Sequence, residues 1–187
     1  MTTLIAKDLH GISRPLRMDN STRGLITLSP AESAIHEGNH YFLKNWFDMT
    51  GKGATLDFLF FTPPLPIRIH GNGRITAENE FNVQFFEDVI VSSYGVPVPS
   101  TNNDRASDKV SNMPVWASPT VADIGHDIWP GKVGMAGQTV SVNFNYEYFP
   151  KPETYYMTRL TKVNKKTHWV DVDFWWYETP HLDATKN

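Results

Sequence analysis

The clearest alternation along the chain is EFNVQFFEDVIV (80–91), with Phe81, Val83 and Phe85 on one parity and Asn82 and Gln84 on the other. That spacing predicts a strand with one wet face. TVSVNFNYEYF (139–149) repeats the pattern, setting Val140, Val142, Phe144, Tyr146 and Tyr148 against Ser141, Asn143, Asn145 and Glu147. In HWVDVDFWWYE (168–178), Val170, Val172, Phe174 and Trp176 alternate with Asp171 and Asp173. TYYMTRLTKV precedes it, and the two read as a hairpin around NKKT (164–167). HYFLKNWFDM (40–49) mixes apolar and polar residues on both parities, as a strand covered on both faces would. ATLDFLFFTPP (54–64) is a strand stopped by Pro63 and Pro64. PIRIHGNG (66–73) reads as a half-buried strand entering a turn at Gly71 and Gly73. VADIGHDIWPGKVGMAGQ (121–138) reads as a short strand and then a glycine-rich loop holding Trp129.

Two stretches lack periodicity. Residues 92–120 form a long, polar, proline-rich connection, of a length that in a compact domain usually serves a purpose. Residues 1–33 are broken by Gly11 and Pro15 and read as an extended N-terminal arm. Eight or nine strands with Gly/Pro turns and no convincing amphipathic helix predict an all-β fold. The expected architecture is an antiparallel β-sandwich, jelly-roll-like, over residues 34–187 behind the arm of residues 1–33. Alternation does not give the order of the strands.

Composition supports this picture. Aromatic residues make up 13% of the 187 residues, and 13 prolines and 12 glycines leave little room for long helices. The net charge of −3 offers nothing to nucleic acid. Residues 1–30 nevertheless carry Lys7, Arg14, Arg17 and Arg23 against Asp8 and Asp19, leaving 13 basic and 18 acidic residues for the rest. A basic arm on an acidic body suits docking onto a neighbouring subunit, and a solvated tail would look the same. The absence of cysteine excludes disulfides and thiolate metal sites. MTTLIAKDLHGISRP has no apolar core of a secretory signal, and no apolar run is long enough to span a bilayer. The expectation is a protein made in the cytosol, with neither membrane nor nucleic acid as partner.

One motif demands a test. His36-Glu37-Gly38-Asn39-His40 matches H-E-x-x-H, which binds zinc when a helix puts both imidazoles on one face. Gly38 and Asn39 are poor helix formers, and an aromatic strand pattern follows. In an extended segment the two histidines would stand about 13 Å apart. The positions where the longer zinc-protease signature needs Gly and His hold Leu43 and Trp46. The match reads as fortuitous, with no metal and no cofactor expected. His10, His70, His126, His168 and His181 are scattered, and no nucleophile elbow, phosphate loop or dinucleotide fingerprint is present. Asp171 and Asp173 share a strand face and read as solvated. Trp175 and Tyr177 share that parity, offering either a subunit-interface anchor or a sugar-stacking platform.

AIHEGNHYFLKNWFDM followed by LDFLFFTP resembles the opening of a family of tailed-bacteriophage capsid decoration (cementing) proteins. NFNYEYFPKPETYYMTRLT and VDVDFWWYE resemble its closing strands, and NNDRAS and IWPGKVGMAGQ sit where similar proteins carry an Asn/Arg-rich turn and a glycine loop. The resemblance spans roughly residues 34–178 and leaves the arm unmatched. It implies a non-enzymatic virion structural protein on the outer capsid surface, commonly a homotrimer, that staples major capsid protein subunits. It also implies that the His36 segment opens a strand. Candidate shell or subunit contacts are Arg14, Arg17 and Arg23 in the arm, Asn102, Asn103 and Arg105 in the long connection, and Trp129, Trp175 and Tyr177. The alternative expectation is a carbohydrate- or receptor-binding sandwich of a virion, stacking its ligand on Trp175 or Tyr177.

Overall fold

The computed structural model describes residues 29–133, 139–148, 150–165 and 168–180, with two short strands ahead of them. In chain order the elements are β1 (Ile5–Lys7), β2 (Ser13–Pro15), α1 (Pro30–His36), β3 (His40–Met49), β4 (Thr55–Phe61), β5 (Ile67–Ala77), β6 (Phe81–Glu87) and β7 (Ile90–Ser93). There follow β8 (Val96–Pro97), β9 (Thr101–Asn102), β10 (Val115–Ala117), β11 (Thr120–Asp123), β12 (His126–Val133), β13 (Val140–Tyr148), β14 (Tyr155–Lys162) and β15 (His168–Pro180). The expected all-β antiparallel sandwich is what the chain forms.

A six-stranded sheet runs β12-β6-β14-β4-β10-β8 and a five-stranded sheet runs β13-β5-β15-β3-β9. The long strands pair first with last and inward from there: β3 with β15, β4 with β14, β5 with β13 and β6 with β12. Those four ladders make one long hairpin. Folding it over sets β15 against β5 and β14 against β6, closing the two sheets. β1 and β2 form a separate antiparallel pair.

This order corrects the expected hairpin of the last two strands. β14 and β15 lie in different sheets, each slotted between two earlier strands. Their apolar rows face each other across the core instead of pairing: Tyr156 and Leu160 on one side, Val170, Val172 and Trp176 on the other. Phe58 sits at the centre of this core, edge-on to Phe47 (5.5 Å) and Phe174 (5.7 Å). Lys162, fully buried on the same row, ties the sheets together by donating from Nζ to the Met49 carbonyl at 2.8 Å.

Three further expectations need revision. Gly71 and Gly73 are not a turn: β5 runs unbroken through both, and a Cβ at Gly73 would stand 2.9 Å from the Phe174 ring. Glycine here makes room inside a strand. Trp129 belongs to β12 and not to a loop; the glycine-rich residues 134–138 lie outside the described residues. Finally, the segment around His36 closes a helix, and β3 begins only at His40. Ser29 caps α1, accepting from the Glu32 N–H while Glu32 accepts from the Ser29 N–H, and Pro30 opens the first turn. The helix ends by a Schellman pair, Gly38 N–H to the Ile35 carbonyl and Asn39 N–H to the Ala34 carbonyl, with Gly38 at φ +68°.

Candidate functional site

The H-E-x-x-H residues fall on two elements. His36 ends α1, Gly38 turns the chain, and His40 opens β3, so the histidines share no helix face. Among the described residues no group of three metal-ligating side chains comes together.

His40 instead joins several of the predicted contact residues. Alternation along β3, β15 and β5 puts His40, Tyr177 and His70 in one row on the outer face of the five-stranded sheet. The rings stack, with centroids 6.3 Å apart for His40 and Tyr177 and 4.3 Å for His70 and Tyr177. Asn103 donates from its side-chain amide to His40 Nδ1 at 2.7 Å and from its backbone N–H to the His40 carbonyl. As an acceptor, Nδ1 carries no proton. Burial holds the His40 imidazole below its ordinary pKa. His70 Nε2 meets the Thr179 hydroxyl at 2.8 Å.

Asn102 faces inward to its own loop. Its amide donates to the Gly38 and Lys109 carbonyls, and its Oδ1 accepts from the Asp104 N–H. Lys109 in turn donates from Nζ to the Glu37 carbonyl at 2.7 Å, placing a cation at the C-terminus of α1. Glu178, buried at the end of β15, accepts from Ser111, from the Asn112 N–H and from the Asn112 amide. Residues 102–112 of the long connection are thus fastened to the α1 C-terminus, β3 and β15, and only Arg105 of the predicted trio is exposed. Tyr177 has an imidazole on each ring face, and Trp175 beside it is half-buried. Trp129 lies apart from this cluster, on β12, the end strand of the six-stranded sheet. Arg14 lies on β2, in register with Ala6, while Arg17 and Arg23 lie outside the described residues.

Further along that outer face, Lys44, Asp173 and Arg74 form an ionic row: Arg74 Nε donates to Asp173 Oδ2 at 3.1 Å and its NH2 group also meets that oxygen. Lys44 Nζ sits 3.6 Å from Asp173. Trp46, next along β3, is 64% exposed among these charges.

The other sheet carries a surface that alternation did not single out. The outward side chains of the six-stranded sheet, Leu59, Phe86 and Met157, form a second core with Val89 beneath Val91, Val121 and Ile124. β7 and β11 pair over it as a separate ribbon. Beside the ribbon, Tyr94 stacks on Trp116 (5.0 Å), and its hydroxyl lies 3.0 Å from that of Tyr155, which packs on Phe61. Burial and the Tyr94 hydroxyl push the Tyr155 phenol up to about 12. Three large apolar residues along this rim are exposed: Ile90 at 58%, Tyr94 at 47% and Val96 at 66%. The signal in the sequence is an absence of charge: Val89 through Asn103 contains no charged residue. Exposed apolar side chains in a stretch depleted of charge are the composition of a protein interface centre.

No family model, curated protein or solved structure matches the chain.

Proposed function

We propose that the chain is a non-enzymatic virion structural protein that decorates and stabilises a bacteriophage capsid from outside. Its partners are the major capsid protein and further copies of itself in a homotrimer. The observation that carries this reading is the uncharged apolar rim of Ile90 on the ribbon, Tyr94 beside it and Val96 on β8 of the six-stranded sheet. Such a rim suits rigid docking onto another protein. A jelly-roll assignment of the sandwich accompanies it, supported by eight long strands paired as one folded-over hairpin. Cementing needs only preferential binding to the assembled shell, multiplied over many copies on a lattice. A carbohydrate platform would have to use Trp175, because Tyr177 is stacked between two histidines.

The test is sedimentation of the purified protein alone and with undecorated capsids. A trimer-sized free species that co-sediments in fixed stoichiometry is expected, with binding reduced at least tenfold in Tyr94→Ala/Val96→Asp. Protein left in the supernatant would sink the proposal. Deleting residues 1–28 then asks separately whether Arg14, Arg17 and Arg23 contribute.

A further inference from the structure

Among the described residues, the sandwich is not filled along its whole length. At the end where β12 and β13 form neighbouring edges, a cleft of about 350 Å³ opens between the sheets. Its origin is local. On β5, Ile69, Gly71, Gly73 and Ile75 share the inward parity, so two successive inward positions of an interior strand carry no side chain. Among the described residues nothing comes within 4 Å of where a Cβ at Gly71 would stand. The flanking edges also loosen here. β13 pairs through Phe144 with Gly73 and next through Tyr148 with Gly71, and β12 is bulged between Asp127 and Trp129.

The walls are aromatic and aliphatic, with Phe60, Phe85, Tyr156 and Trp176 among them. Ile128 and Trp129 stand at the β12 edge, each more than a third exposed. The Trp129 indole packs against Gly131, where a Cβ would stand 2.5 Å from the ring. Of the few polar lining groups, the Thr62 hydroxyl is already engaged: it donates to the Lys151 carbonyl at 2.6 Å and accepts from the Thr154 N–H at 2.9 Å.

We infer that this cleft is a binding site for one uncharged, predominantly apolar small molecule. Its volume lies in the range of small-molecule pockets and is more than twice that of the roughly 150 Å³ apolar cavity that takes up benzene. Ordered water is a poor occupant, since each molecule needs two to four polar partners. A peptide strand is too large for the space, and a charged ligand would meet no counter-charge among the described lining residues. The inference does not depend on capsid binding; it follows from the interior of the sandwich alone.

The test is a fluorescence titration of the full chain with N-phenyl-1-naphthylamine, an uncharged apolar probe. Saturable binding of one probe per chain with blue-shifted emission is expected. Gly71→Leu, which fills the void from a strand position outside the left-handed region, is expected to weaken binding at least tenfold without lowering Tm. If that variant does not fold, Gly71→Ala reports instead, with binding weakened several-fold. Tyr94→Ala is expected to leave binding unchanged. Absence of saturable binding would overturn the inference. So would a signal that survives filling at residue 71, or one removed by Tyr94→Ala, since the probe would then sit on the exposed rim.

Discussion

The two outer faces of the sandwich start from the same alternation and end differently. On the six-stranded sheet, the outward Leu59, Phe86 and Met157 are apolar, and residues 88–125 fold back to cover them with a ribbon and a second core. On the five-stranded sheet, the outward row carries Lys44, Asp173, Arg74, His40, Tyr177 and His70, whose contacts are ionic, hydrogen-bonded or stacked. The first face depends on an inserted stretch of chain for its stability, and that insertion brings exposed apolar side chains with it. The second is covered only at its His40 corner, by Asn103 of the same stretch, because cross-strand polar pairs suit a wet face. Where an insertion covers one face, that insertion is the place to look for a partner.

The largest break in this comparison is Phe86→Ala. It removes a buried ring from the second core and is expected to cost about 3–5 kcal/mol, read as a lower urea midpoint. Amide exchange should rise first in β7 and β11, ahead of the main core; uniform loss across both sheets would mean that the two cores are one cooperative unit. A smaller effect is expected on the other face. Asp173→Asn should cost about 1 kcal/mol, because Arg74 and Lys44 are exposed enough to regain water. The gap to the parent in urea midpoint should narrow in high salt.

The smallest effect is a pH dependence that sharpens the polar face. Burial lowers the His40 pKa in the folded chain, so between that value and the ordinary one of about 6.5 the unfolded chain binds more protons. Stability should therefore fall as pH drops below about 6.5 and level off beneath the depressed folded value. Protonation of Nδ1 also removes the acceptor for Asn103. Urea midpoints between pH 8 and pH 5 should show a shallower fall in His40→Gln than in the parent. Identical slopes would mean that other groups carry the acid sensitivity.

Particular residues show how far the sequence could be read. Phe81 and Val83 announced the inward face of β6, and Val170, Val172 and Trp176 that of β15, because a period of two fixes facing locally. Ser29-Pro30-Ala31-Glu32 and Gly38 also spelled a helix start and stop, but seven residues are too few to show helical periodicity. Gly71 and Gly73 misled because a glycine pair flanking asparagine has the composition of a turn, and only Phe174 from a distant strand shows why β5 runs straight through.

The candidate sites divide in the same way. The chain itself determined an all-β protein, the inward and outward rows of its strands, and the uncharged stretch at 89–103. Pairing β14 and β15 into opposite sheets, seating Asn103 on His40, raising Tyr94 over a second core and leaving the cleft above Gly71 were decided by tertiary structure. Facing is set by the backbone of one strand. Partnership depends on which distant strand arrives beside it, and that is a property of the whole folded-over hairpin.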